Sequence, residues 1–230
     1  MLFVVPTPVG NLEDMTLRGI RVLKEADLIA CEDTRRAATL LGHFGVTTPR
    51  ISYHAHNERA RIEQILSRMR SGDQVALISD AGTPGISDPG FALIRECLRE
   101  GLDVTVLPGA SAVLPALVGS GLPCDRFVFE GFLPHRKGRR SRLDGLVQET
   151  RTMVFFESPH RIVRTLADFA ATFGPDRSAA VAREVSKKFE EFSRGSLGEL
   201  HELMAQRDRI RGELVVVVAG TRASRAGQSG

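Results

Sequence analysis

The stretch Ser79–Gly90, SDAGTPGISDPG, decides how the rest of the chain is read. It follows Gln74–Ile78 (QVALI), a short apolar run with β-branched Val75 and Ile78 that predicts a buried strand. It precedes Phe91–Arg99, where Phe91, Ile94 and Leu98 stand at the i, i+3, i+7 spacing of one helix face. Three glycines, two prolines and two aspartates lie between. Glycines let a backbone approach a ligand closely, and prolines stiffen the loop so that little order is lost on binding. A rigid polar loop at the carboxyl end of a sheet strand is where open α/β sheets take their ligands. Plain βα turns need far fewer residues.

Working outward, Leu2–Val5 predicts a first strand, ending in the stiff turn Pro6–Asn11. Thr16 is placed to cap a helix to about Ala26 with Leu17, Ile20 and Leu23 inward. The strand Leu28–Cys31 ends in Glu32-Asp33-Thr34-Arg35-Arg36, where Asp33 or Thr34 caps the next helix, closed by Gly42 and Gly45. Ile51–Tyr53, the helix Glu58–Met69 and the strand Val104–Leu107 follow, the last running into Pro108–Ala112. Five strands alternating with helices predict a mainly parallel sheet with helical crossovers. The turns after Val5, Ile78 and Leu107 then share one sheet edge.

At Gly119–Asp125 (GSGLPCD) turn formers accumulate, and a domain boundary is expected there: residues 1–120 as a parallel α/β domain and 125–220 as a second domain. The second half offers strands at Phe127–Phe132, Thr152–Phe156, Ala179–Arg183, Phe189–Ser193 and Leu214–Ala219. Helices are expected from about Ser141 to Gln148, from Pro159 to Phe173, and near Leu197–Gln206. Closer strand spacing predicts a mixed sheet. The small, polar residues 221–230 read as a disordered tail.

The chain has 230 residues, 42% apolar content, a formal net charge of +3 and a pI near 9.0. Arginine dominates the cations, which suits phosphate more than plain solubility. Three cysteines at unrelated spacings predict a reducing, cytoplasmic setting without a disulfide framework, with Cys31, Cys97 and Cys124 packed as small apolar groups. No charged-then-apolar leader and no membrane-length apolar run is present. His54 and His56, two apart with no third ligand nearby, do not make a metal site. Neither GxGxxG after the first strand nor GxxxxGK[ST] occurs, so dinucleotide and P-loop NTPase readings lose their key residues.

The segments TPVGNLEDMT, CEDTR, SDAGTPGISDPG, LPGASA, FEGFLP, FFESPHR and AREVSKKFEE together resemble the tetrapyrrole-methylase superfamily of S-adenosylmethionine enzymes, from Leu2 to about Gly220. Within it the resemblance is to the branch that methylates the ribose 2′-hydroxyl of a cytidine in 16S ribosomal RNA of the small subunit. Porphyrin methylases carry Gly-Asp-Pro where this chain has Gly82-Thr83-Pro84, which argues against a tetrapyrrole substrate. The resemblance implies two α/β domains with S-adenosylmethionine in the cleft between them, and a homodimer. It implies cofactor contacts from Pro8 and Val9, from Gly82, Thr83 and Ile86, and from Ser111 and Ala112. From the second domain it implies Phe156, Ala182, Gly212, Glu213 and Leu214.

Methyl transfer from a sulfonium is an in-line displacement in which alignment supplies much of the rate. A ribose hydroxyl is a poor nucleophile at neutral pH, so a group that removes or offsets its proton helps. Lys187 and Glu184, three apart after a predicted strand, are the expected catalytic pair, the lysine as base or as a charge facing the alkoxide. An exposed ion pair is the competing reading. Asp33, Arg35 and Asn11 are weaker candidates, and Glu157 with Arg161 reads as an internal ion pair.

The densest positive run, His135–Arg142, has no interleaved acid before Asp144. Arg136, Lys137, Arg139, Arg140 and Arg142 are therefore expected to contact RNA phosphates. With no Trp and one Tyr, an aromatic platform for base stacking is not expected. A small-molecule tetrapyrrole or corrin methylase and a non-catalytic RNA-binding ribosome-assembly factor remain the alternatives.

Overall fold

A computed structural model describes residues 1–221 and divides into two compact units, Met1–Ser111 and Ala112 onward. In the first unit β1 (Leu2–Val4), β2 (Leu28–Cys31), β3 (Arg50–Ser52), β4 (Val75–Ile78) and β5 (Val104–Val106) form one sheet in the order β3-β2-β4-β1-β5, every pairing parallel. Helices α1 (Leu17–Glu25), α2 (Thr34–His43), α3 (Glu58–Arg70) and α4 (Phe91–Arg99) make the crossovers. Strands β2 and β4 are buried throughout because helices cover both faces. Val22, Leu23, Ala37 and Leu41 of α1 and α2 pack on Ile29, Ala76 and Ile78. Ile65, Leu66, Leu93 and Cys97 of α3 and α4 pack on Leu2, Val4, Leu28 and Leu77 on the other face.

Caps fix the helix starts. The Thr16 hydroxyl accepts from the Gly19 N–H at 2.9 Å, and the Asp33 carboxylate from the Arg35 N–H at 2.8 Å. Two expected apolar faces are corrected in part. Leu17 is 86% exposed, while Leu23 is buried and Ile20 packs on the core as expected, joined by Gly19 and Val22. Phe91 and Leu98 are also exposed, because α4 turns Leu93 and Cys97 to the sheet. Ile20 and Leu23 of α1 and Ile94 of α4 do pack on the cores as expected, so spacing found the buried side and erred only at Leu17, Phe91 and Leu98 on its flanks.

The second unit opens with α5 (Val113–Ser120), which packs Val113, Ala116 and Leu117 on Val154, Ala182, Val215 and Val217. The division thus falls ahead of Gly119–Asp125, at the entry to α5. Its sheet runs β6-β7-β10-β8-β9, from β6 (Phe127–Phe132), β7 (Thr152–Glu157), β8 (Ser178–Arg183), β9 (Glu191–Ser196) and β10 (Leu214–Val218). The β6–β7 pairing is parallel and the rest antiparallel, so the sheet is mixed. Helices α6 (Arg139–Leu146), α7 (Ile162–Phe173) and α8 (Leu197–Ala205) cover the face opposite α5.

Helix α6 begins two residues before the expected Ser141. Pro159 sits in a turn ahead of α7, where the Arg161 and Ile162 N–H groups both donate to the Ser158 carbonyl. Cys31 and Cys97 are buried, and burial pushes both thiols up to about 11. Cys124 is exposed, contrary to the packing expected of it, because it lies in the turn before β6. The Thr221 N–H donates to the Glu149 carbonyl, and the rest of the expected tail lies outside the described residues. Among the described residues no helix is long and apolar enough to cross a membrane.

Candidate functional site

Strands β4, β1 and β5 are adjacent and parallel, so the loops that follow them emerge at one edge. They are tied to each other. Thr7 and Gly82 exchange backbone hydrogen bonds of 2.9 and 2.8 Å, and the buried Thr7 hydroxyl donates to the Ser79 carbonyl at 3.0 Å. The Thr83 hydroxyl donates to the Ala110 carbonyl at 3.4 Å. Gly109 lies so close to Pro6 that a Cβ there would sit 2.7 Å from the proline ring. Gly82 holds φ +80°, which glycine adopts without the cost borne by other residues. Pro8, Val9 and Gly82 are buried, Thr83, Ser111 and Ala112 half-buried, and Ile86 exposed.

Pro6–Asn11, Ser79–Gly90 and Leu107–Ala112 contain no Lys or Arg, whereas Asp80 and Asp88 are present. A phosphate-rich ligand is poorly served by such loops. A cationic sulfonium held through backbone and small side chains fits them. A pocket of about 430 Å³ opens beside the first two loops, lined in part by Pro8, Gly10, Arg36, Ser79 and Asp80. Arg36 pairs with Asp80 at 3.0 Å. Arg35 pairs with Asp33, whose carboxyl is lowered to about 2 by the Arg35 hydrogen bond. Asp33 and Arg35 thus satisfy each other at the start of α2. Among the described residues no group of three or more His, Cys, Asp or Glu side chains could hold a metal ion.

In the second unit, Phe156 and Ala182 flank Val215 in register on the α5-covered face. Leu214 is instead a core residue on the opposite face. Gly212 has φ +91°, and a Cβ there would collide with the Glu184 carboxylate. Glu184 accepts from the Glu213 N–H at 2.9 Å and from Lys187 Nζ at 2.8 Å, and Glu213 takes the same ammonium at 3.1 Å. The Gly212–Glu213 segment and the expected catalytic pair are therefore one construction. Burial works against the Lys187 charge, but its hydrogen bonds to Glu184 and Glu213 outweigh it and raise its pKa above the ordinary lysine value. Lys187 stays an ammonium. Of the two roles expected for it, the base is disfavoured and the fixed charge is compatible with this setting.

The basic run is corrected in part. Arg139 is 6% exposed, donating to Asp168 at 2.8 Å, to the Thr165 hydroxyl at 2.8 Å and to the Pro134 carbonyl at 3.5 Å. It is a structural residue and not a phosphate contact. Arg140 pairs with Asp144 at 3.0 Å, and Arg142 with Glu130 at 2.6 Å, so the run does have compensating acids. Helical spacing brings Asp144 one turn from Arg140, and Glu130 reaches Arg142 from β6. Arg136, Lys137, Arg140 and Arg142 remain at the surface.

Behind Arg139 lies a network that the residues FFESPHR signalled only as an ion pair. The Glu157 side chain, 1% exposed, accepts from Arg161 Nε at 2.8 Å, Arg161 Nη2 at 3.0 Å, the Thr165 hydroxyl at 2.6 Å and the Ser158 N–H at 2.7 Å. Arg161 also donates to the Leu133 carbonyl at 3.0 Å. Asp168 and Thr165 carried no motif of their own and were missed.

The family model of the Tetrapyrrole (Corrin/Porphyrin) Methylases matches residues 1–201. The chain belongs to this family. It is 50% identical over 230 residues to the ribosomal RNA small subunit methyltransferase I of Pseudomonas aeruginosa, covering 99% of this chain and 82% of that one. It is 45% identical to the Thermotoga maritima protein of the same name, covering 95% and 98%. Among solved structures it resembles diphthine synthase, with TM-score 0.71, 18% identity and coverage of 98% and 94%. It also resembles the uroporphyrin-III C-methyltransferase of Thermus thermophilus complexed with S-adenosylhomocysteine, with TM-score 0.64, 20% identity and coverage of 98% and 99%. At those identities the structures establish the shared fold of this methylase family.

Proposed function

We propose that this chain is an S-adenosylmethionine-dependent methyltransferase that acts on 16S ribosomal RNA of the small subunit and methylates the 2′-hydroxyl of a cytidine ribose. The observation that carries the reading is identity of 43–50% over nearly the whole chain with proteins named for small-subunit ribosomal RNA. Identity to the structures named for tetrapyrrole or corrin substrates is 17–20% in the same fold. Gly82-Thr83-Pro84 in place of Gly-Asp-Pro points the same way. We also infer a cytoplasmic homodimer.

When bound, S-adenosylmethionine supplies an electrophilic methyl on a sulfonium. Pro8, Val9, Gly82, Thr83, Ile86 and Ser111, with the adjoining Ala112, would hold it from the three loops, which are tied together before binding. Phe156, Ala182 and the backbone of Gly212–Leu214 would contribute from the second. Lys187, kept protonated by Glu184 and Glu213, would offset charge developing on the attacking ribose oxygen. Arg136, Lys137, Arg140 and Arg142 would contact RNA phosphates, giving salt-dependent affinity.

The test supplies small subunits, protein-free 16S RNA and a uroporphyrin separately with labelled S-adenosylmethionine. Label in ribose 2′-O-methylcytidine of either RNA substrate supports the reading. Label in the tetrapyrrole alone replaces it with the small-molecule methylase. Absence of both cofactor binding and label would favour the assembly-factor alternative.

A further inference from the structure

Backbone strain picks out two places in the chain. Among the described residues, those other than glycine with positive φ are Ser87 at +63°, Glu184 at +53° and Ser186 at +67°. Ser87 stands in the Ser79–Gly90 loop. The other two flank Val185 in one turn that follows β8. A serine or glutamate in this region is costly, and it persists only where its surroundings over-determine it, most often at a functional segment.

The bonds that impose the turn can be traced. The Glu184 N–H donates to the Glu213 carbonyl at 2.9 Å, and the Lys187 N–H donates to the Glu184 carbonyl at 2.9 Å. The Ser186 N–H donates to Glu190 Oε2 at 2.6 Å, and the Glu190 N–H donates to the Lys187 carbonyl at 3.1 Å. Val185 is buried in the apolar cluster that α5 forms with β8 and β10, which anchors the turn from below. Glu190 therefore closes the turn twice, with its N–H on Lys187 and its carboxylate on the left-handed Ser186. The acids that take the Lys187 ammonium are Glu184 and Glu213, so Glu190 acts on it through the backbone.

The same turn sorts two adjacent lysines. Lys187 folds back onto Glu184 and Glu213 with its side chain 24% exposed, whereas the Lys188 ammonium lies 5.7 Å from the Phe189 ring centroid. Relaxing Ser186 to an ordinary negative φ would redirect the chain just before Lys187 and carry its ammonium off the two carboxylates. A misplacement of about 1 Å can cost about 100-fold in rate.

We propose that Glu190 is a positioning residue for methyl transfer: by holding Ser186 left-handed it selects Lys187 over Lys188 and fixes where the ammonium stands. The proposal rests on the fixed-charge role given to Lys187 and adds the residue that sets its place. The charge of Glu190 has no part in it, only the oxygen that accepts from Ser186.

The experiment measures single-turnover methyl transfer from labelled S-adenosylmethionine to small ribosomal subunits, with melting and S-adenosylmethionine calorimetry on each variant. Glu190 is exposed, so its variants should fold. Glu190→Ala loses the acceptor and should slow transfer about threefold or more, by no more than Lys187→Gln does, with cofactor affinity within about twofold of wild type. Glu190→Gln keeps an oxygen for the Ser186 N–H and should retain the wild-type rate, whereas a role for the carboxylate charge would slow both variants. In a Lys187→Gln background Glu190→Ala should change the rate little, because no ammonium is left to misplace. Equal slowing by Glu190→Ala in both backgrounds, a slow Glu190→Gln, or a wild-type rate in folded Glu190→Ala would overturn the positioning role while Lys187→Gln stays slow. A wild-type rate in Lys187→Gln would instead overturn the fixed-charge role, and this one with it. No transfer by the wild type would overturn the proposed activity as well.

Discussion

Glu157→Gln is the substitution whose cost the structure specifies best. The carboxylate is enclosed and accepts from two Arg161 nitrogens, the Thr165 hydroxyl and the Ser158 N–H. Glutamine keeps the shape but removes the charge and turns an NH₂ group toward donors that need an acceptor. Hydrogen bonds to charged groups contribute about 1.5–3 kcal/mol each, and breaking one partner of a buried pair costs about 3–5 kcal/mol. The loss should therefore be about 3–5 kcal/mol. At about 2–4 °C per kcal/mol for a chain of this size, Tm should fall by about 6–20 °C in differential scanning calorimetry. Replacing both members, Glu157→Leu with Arg161→Leu, should cost less than the sum of the two single leucine variants, because no charge is then left unpaired. A Tm within about 2 °C of wild type for Glu157→Gln, or strict additivity of the leucine pair, would refute the reasoning.

Gly82→Val should abolish measurable S-adenosylmethionine binding by calorimetry while the protein still folds. A nearby Val9 methyl lies 3.7 Å from the added Cβ, so the damage comes from the positive φ and the displaced loop rather than from a clash; unchanged affinity would remove this loop from the site. Lys187→Gln should slow single-turnover methyl transfer by about tenfold or more, with Lys187→Arg partly restoring it. Because its pKa is raised, the wild-type rate should show no step attributable to lysine deprotonation below about pH 10, and such a step, lost in Lys187→Arg, would contradict the fixed-charge role. Glu191 is held down to about 2 by hydrogen bonding to Arg207, helped by Arg183. Its folded value lies below the unfolded one, so the stability it adds is present above about pH 4.3 and is lost as pH falls toward 2. Glu191→Gln should therefore flatten the acid limb of stability in that interval, and an unchanged limb in urea titrations would count against the assignment.

Much of the fold was readable because local signals agreed. QVALI and LIAC are short, apolar and β-rich, and each became a strand buried along its length. Thr16 and Asp33 announced helix starts by side-chain chemistry that needs no tertiary context. What local signals could not decide was how far the buried stripe extends along each helix, as the exposed Leu17 and Phe91 show beside the packed Ile20 and Ile94. The three loops were placed on one edge by the parallel-sheet inference, and their mutual hydrogen bonds then follow from the β4-β1-β5 order. The basic run was the weaker inference. Counting charges along Arg136–Arg142 could not reveal that Asp168 lies opposite Arg139 or that Glu130 reaches Arg142, since both pairings join elements distant in sequence.

The most direct test of the proposed activity is mass spectrometry of 16S ribosomal RNA from cells with and without this protein. A single ribose-methylated cytidine should lose its 2′-O-methyl group when the protein is absent, regain it with the wild-type chain and fail to regain it with Gly82→Val. An identical 2′-O-methyl pattern in the two RNAs would contradict the proposed activity.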